Sequence, residues 1–243
     1  MKKSIYGFII AIGIVTPSCI NILGKVTGLS ENTTTLEKIN VPNKEVYFLG
    51  MRHLGKKEFY ESAEKTIKEY QDKGFVFYLE GINKIDSSNF SNDNPRYIKD
   101  TLSHKKIRRI LGIDLANKYS EIDNPILDNL VTKYSLIDQP KYYKLGVKNY
   151  VWVDIPLSEL IKKFESTHGT VNLTTCDSVT DLKAPYVCGI ANKITLKQFK
   201  NEIIKQYRNE HIVNTIKNST DKKIVIIYGI LHYKGIVELL KVN

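Results

Sequence analysis

The stretch Val46-Tyr47-Phe48-Leu49-Gly50-Met51-Arg52-His53 is a short apolar run closed by a Gly-x-x-His turn. Near the other end of the chain, Ile224-Val225-Ile226-Ile227-Tyr228 runs into Gly229-Ile230-Leu231-His232 in the same way. Runs this short, rich in β-branched and aromatic residues and ended by Gly, read as strands buried on both faces. Gly50 and Gly229 are expected to let the chain turn sharply as it leaves the sheet. Two imidazoles, His53 and His232, would then stand at matched places on one sheet edge.

A third run, Phe75-Val76-Phe77-Tyr78-Leu79, ends in Glu80-Gly81. Between the first and third runs, Phe59, Ala63, Ile67 and Tyr70 share one helical face over 56–73, and Gly74 stops that helix. Strand, helix, strand in this order predicts a right-handed crossover joining parallel neighbours. Glu80 would therefore emerge on the edge where His53 does. A long helix over 195–218 precedes the last strand and predicts the same direction for it. Ligands of open α/β sheets bind beyond the carboxyl ends of the strands, so three residues of ligand type converge where this architecture does its chemistry.

Further elements follow the same logic. Residues 99–111 and a segment opened by Pro125 read as helices, and 86–95 as a polar loop. Tyr150-Val151-Trp152-Val153 is a fourth strand, again ending in an acid, Asp154, with a helix starting at Pro156. Asp154 is either an N-cap for that helix or a site residue. A last helix covers 235–241. The fold expected is a single α/β domain over 45–243, a mostly parallel central sheet flanked by helices, with a helical middle insertion that covers the mouth of the site.

The chain has 243 residues, 42% of them hydrophobic, which suits one domain with a substantial core. Its start reads as a processing segment. Lys2 and Lys3 precede an apolar stretch over 5–15 that is too short to span a membrane. Thr16-Pro17-Ser18-Cys19 follows, so 1–18 is read as a signal peptide. Either Cys19 is the lipidated terminus of a membrane-tethered lipoprotein, with Thr16 in place of the usual Leu, or the segment is a plain secretory signal. Both readings export the protein. Cys176 and Cys188 are then an even pair inside an irregular stretch, and a disulfide between them is expected. The net charge of +10 comes from scattered basic residues with no aromatic-interleaved motif, which argues against nucleic acid as a partner.

Two neutral imidazoles and a carboxylate suit a borderline divalent cation such as Mn, Co or Zn, with positions left open for water. Such an ion lowers the pKa of its water enough to supply hydroxide near neutral pH. Glu80 serves either as third ligand or as general base. Arg208 shares a helical stripe with Ile204 and Ile212, and a partly buried Arg there needs a carboxylate partner: Glu80, Asp154 or a substrate. His104, His168 and His211 sit in polar surroundings and read as surface residues.

The paired Gly-x-x-His turns, the strand-final Glu80, the Arg208-Asn209 pair and Gly235 after the second turn resemble the TraB/TIKI/GumN-like family in order and spacing. The resemblance implies an α/β core related to erythromycin-esterase-like and haem-binding ChaN-like proteins and, for the TIKI branch, metal-dependent proteolysis. It implies His53, Glu80 and His232 as the metal and catalytic set, supported by Arg208, with Asp154 matching an acid after a central strand. Met51 departs from the family's Gly-Thr-x-His. A metallopeptidase acting on a peptide is the leading expectation. A peptide- or haem-binding protein without catalysis, or a hydrolase of a small-molecule ester, would use the same pocket.

Overall fold

The computed structural model describes residues 24, 27–81, 94–113, 119–121, 124–182 and 184–241. The segment 1–18, read from the sequence as a signal peptide, and Cys19 lie outside them. No helix among the described residues is long and apolar enough to cross a membrane.

The chain opens with β1 (Leu36–Val41) and β2 (Lys44–Met51), a hairpin turned at Asn43 in the left-handed region (φ 59°). The short β3 (Leu54–Gly55) leads into α1 (Lys57–Asp72), which buries Phe59, Tyr60, Ala63 and Ile67. Gly74 follows with φ 79°, a left-handed value that glycine adopts without steric cost. Then come β4 (Val76–Leu79), α2 (Pro95–Leu111), α3 (Pro125–Tyr134), β5 (Ile137–Asp138) and β6 (Tyr150–Trp152). Asn124 caps α3, its side chain accepting from the N–H groups of Ile126 and Leu127, with Pro125 in the first turn. The last third holds α4 (Leu157–His168), α5 (Thr175–Val179), α6 (Lys193–Gln198), α7 (Arg208–Asn218), β7 (Lys223–Gly229) and α8 (Tyr233–Lys241).

The main sheet has the order β1-β2-β7-β4-β6, with every pairing parallel except that of β1. The mostly parallel α/β sheet flanked by helices is therefore present. The crossover through α1 does not join neighbours, however, because β7 lies between β2 and β4. The reason lies in β7 itself. Ile224 to Tyr228 are all buried, so this strand is apolar on both faces and belongs at the centre. Each such aliphatic side chain contributes roughly 1.5–3 kcal/mol by leaving water. The sheet also begins before residue 45, since β1 pairs with Lys44 to Leu49 of β2; its alternation is too polar to announce a strand.

One face of the sheet, with Val46, Phe48, Tyr78, Ile224 and Ile226, packs on Ile212, Val213 and Ile216 of α7 and on Ile236 and Leu240 of α8. The other, with Leu49, Met51, Phe77, Leu79, Val225 and Ile227, packs on α1. A separate cluster joins Ile107 and Ile110 of α2 to Leu160, Ile161 and Phe164 of α4. The middle insertion thus builds a subsidiary core beside the sheet, and among its described residues Tyr119 and Tyr142 feel the charges of Glu80 and Arg208.

The helix expected over 195–218 is not uniform. Between α6 and α7, Phe199–Tyr207 forms wider π-helical turns that bury Phe199 and Ile203. Such turns concentrate at functional positions. Here they end at Arg208, the first residue of α7.

Candidate active site

Four parallel strands end in step. Leu49 of β2 pairs with Ile227 of β7, Ile227 with Leu79 of β4, and Leu79 with Trp152 of β6. His53, His232, Glu80 and Asp154 each follow one of these ends, in that order across the edge.

Arg208 is the hub. Its Nε donates to Oδ1 of Asp154 at 2.9 Å and its Nη2 to Oδ2 at 2.5 Å, while Nη2 also reaches Oε1 of Glu80 at 2.7 Å. Such a planar fork matches a carboxylate in a way that a lysine ammonium does not. Asp154 also accepts from the N–H of Ile155 (2.8 Å), the N–H of Gly81 (3.2 Å) and the hydroxyl of Tyr228 (3.1 Å). It is not the N-cap of α4; Pro156 holds that position. Burial opposes the Asp154 charge, but the hydrogen bonds and charge of Arg208 outweigh it and hold the carboxyl below its usual range. Burial likewise opposes the Arg208 charge, and the bond to Asp154 together with the electrostatic pull of Tyr228, Glu80 and Asp154 more than offsets it.

Glu80 is the outer acid. Its Oε2 accepts the backbone N–H of Gly229, and its side chain keeps 15% of its exposure, against none for Asp154. Gly229 and Gly50 have ordinary negative φ, which corrects the expected sharp glycine turns. Both glycines lie inside their strands, and what they provide is close approach. A Cβ on Gly229 would stand 3.1 Å from Oε2 of Glu80, and one on Gly50 3.0 Å from Ile230.

His232 is buried, and its ring stands edge-on to that of Tyr228. Its Nδ1 lies 2.6 Å from Oδ1 of Asn209. A carbonyl oxygen only accepts, so Nδ1 donates and the ring's lone pair is on Nε2, which faces Nη1 of Arg208 at 3.5 Å. Burial, and then the Arg208 charge, push this imidazole down to about 4. Gly235 is where Asn209 passes, and a Cβ there would collide with its amide.

His53 is exposed, with its ring stacked on Tyr119 at 4.3 Å and 3° between planes. Its backbone C=O accepts from the N–H of Gln139 at 2.9 Å. Enough protein surrounds the ring that desolvation lowers its pKa, despite the opposing charge of Glu80. Glu80 and Arg208 also act electrostatically on Tyr119 and Tyr142. His53 thus shares the field of the site, but it makes no hydrogen bond to Glu80 or His232.

Among the described residues, no three His, Cys, Asp or Glu side chains form a group at metal-holding spacing. The donor chemistry nevertheless suits a cation. His232 is kept neutral by its lowered pKa, desolvation shifts His53 in the same direction, and Asn209 orients His232 as outer partners orient metal-ligating imidazoles. Two carboxylates against one guanidinium leave a formal charge of −1.

Of the residues singled out in the sequence, the structure brings Glu80, Asp154, Arg208, Gly229 and His232 into one network and leaves His53 at its rim. Asn209, Tyr228 and Tyr119 acquire roles that the sequence did not assign. The signal for Asn209 was its place beside Arg208, and for Tyr228 its place just before Gly229. Cys176 and Cys188 form a disulfide, with Cα atoms 5.7 Å apart. His211 is exposed, and His168 pairs with Glu202 at 2.7 Å. In comparisons with known proteins, no family model, curated protein or solved structure matches the chain.

Proposed function

We propose that this protein is an exported, metal-dependent hydrolase of peptide bonds, in which His53, Glu80 and His232 hold a divalent cation, manganese, cobalt or zinc. The observation that carries the reading is the charge state of the sheet edge. A net negative charge, exposed to solvent through Glu80, lies on the same edge as His232, an imidazole pushed down to about 4 by burial, and as His53, whose pKa desolvation also lowers. Such a surface complements a cation and leaves lone pairs to bind it.

Each neighbouring residue has a defined task in this reading. Arg208 holds the Glu80 carboxylate in place, and Asp154 holds Arg208. Asn209 keeps the lone pair of His232 on Nε2. Tyr119 fixes the plane of His53. A bound cation supplies Lewis acidity and lowers the pKa of an attacking water. The disulfide supports export, because such bonds persist in oxidising compartments. The family resemblance supports the same reading, and the small residue Ser18 before Cys19, just after the apolar stretch, extends the proposal to a lipid tether on the membrane.

Elemental analysis of the purified mature protein tests the proposal. One divalent ion per chain is expected, lost in both His53→Ala and His232→Ala, with peptide turnover following metal content. Absence of metal uptake under all conditions would overturn it. The guanidinium lying 3.5 Å from Nε2 of His232 favours one second reading, a pocket that binds a peptide or haem-like ligand without turnover. Stoichiometric recovery of intact peptide from metal-loaded protein would support that alternative.

A further inference from the structure

The geometry points to the outer edge of β6 as the docking site for an acidic peptide in extended conformation, added to the sheet as one more strand. This deepens the peptide-directed reading above and rests on it. Among the described residues, β6 is the last strand of the main sheet, and its only ladder is with β4. Two bonds bracket that ladder, the N–H of Phe77 to the C=O of Asn149 (2.9 Å) and the N–H of Val153 to the C=O of Leu79 (3.2 Å). They fix the parity. Odd-numbered residues turn their backbone groups towards β4, so those of Tyr150 and Trp152 point outwards. Among the described residues, neither one's outward N–H or C=O makes a hydrogen bond.

An open row of alternating donors and acceptors is matched by an extended backbone, the basis of recognition by strand addition. The side chains supply the remaining surface. Tyr150, Val151 and Trp152 are each about 45% exposed, whereas the other strands of the sheet's interior are buried. Tyr150 and Trp152 contact edge-on, and Tyr142 buttresses Trp152 from behind. The approach to the strand carries Lys141, Lys144 and Lys148, all exposed and none in an ion pair among the described residues, which selects an acidic ligand.

Position links this edge to the chemistry. Trp152 is level with Leu79, one residue before Glu80, and Asp154 follows two residues after Trp152. Added strands lie about 4.8 Å from their neighbour. A peptide paired with β6 would therefore run past the end of the sheet beside Asp154 and Glu80.

The test uses a fluorescein-labelled eight-residue peptide of alternating Thr and Glu, titrated by fluorescence anisotropy into metal-stripped protein. Metal uptake is measured separately, so failure of docking and failure of the metal reading are distinguishable. Saturable binding is expected, weakened about tenfold or more when alternate peptide nitrogens are methylated, because each lost backbone bond costs about one factor of ten. Tyr150→Pro should weaken binding to a similar extent while leaving the melting curve intact, since its N–H lies outside the ladder and proline is tolerated there. Lys144→Glu with Lys148→Glu should weaken it too. Equal affinity for the methylated peptide, or no saturable binding, overturns the proposal. So does competition by phosphatidylglycerol vesicles whose own binding ignores Tyr150→Pro, which would assign the strip to a lipid surface.

Discussion

Arg208 and Asp154 meet edge to edge, Nε to Oδ1 at 2.9 Å and Nη2 to Oδ2 at 2.5 Å, with both side chains almost wholly buried. They lie 54 residues apart and join α7 to the end of β6. A buried pair of this kind is costly to break from one side, because the remaining charge has lost its partner. Arg208→Ala should destabilise the protein by about 3–5 kcal/mol. Arg208→Lys should recover only part of this, since an ammonium cannot form the fork. Urea unfolding of the three proteins checks both statements, and equal midpoints would contradict them.

Asn209 acts on the site only through His232. Asn209→Leu removes the acceptor for Nδ1 and frees the imidazole to change tautomer. Loss of such an outer partner typically lowers metal affinity 10–100-fold. We expect a drop of that order for zinc or manganese in isothermal titration calorimetry, with a far-ultraviolet spectrum like that of the wild type. Unchanged affinity would remove Asn209 from the site.

Acid should weaken the fold in a defined window. An ordinary imidazole titrates near 6.5, but His232 in the folded protein is held down to about 4. Below 6.5 the unfolded chain takes up a proton that the folded chain refuses, so stability falls with pH until about 4, by up to about 3 kcal/mol. Asp154, also lowered, adds stability above the usual carboxylate range that is lost as pH falls through its folded value. Melting temperatures measured from pH 7 to pH 4 should decline, and His232→Gln should flatten the slope.

The disulfide should matter for stability without touching the site. Cys176 and Cys188 close a loop with a sequence separation of 12, for which constraint of the unfolded chain is worth about 3 kcal/mol. The loop is also held by α2, where Arg108 donates to the carbonyls of Asp181 and Ala184 and Arg109 to that of Cys188. Reduction is therefore expected to lower the unfolding free energy but leave metal uptake unchanged. A parallel loss of metal on reduction would show that the two regions are coupled.

The strands around Leu49, Leu79 and Ile227 were legible because their apolar runs have no other stable place than a sheet interior. The residues that follow them were legible as a consequence, since parallel strands end on one edge. The strand order was not. β7 enters between β2 and β4 because it is the most completely apolar of the strands, a comparison among distant segments that no local pattern states. The π-helical turns before Arg208 were also hidden, as Phe199 and Ile203 read equally well as an ordinary helical face. β1 was missed because its residues alternate too weakly.

By itself the sequence determined an α/β chain with imidazoles and carboxyl groups at the ends of its strands, because hydrophobic periodicity and strand polarity are local properties. Only the tertiary structure decided who meets whom. Arg208 holds Asp154 and Glu80 together, Asn209 fixes the ring of His232, and His53 stays at the rim against Tyr119. Those contacts span up to 128 residues of chain and depend on packing distances of a few ångström, which are set by how whole layers fit and not by any one segment.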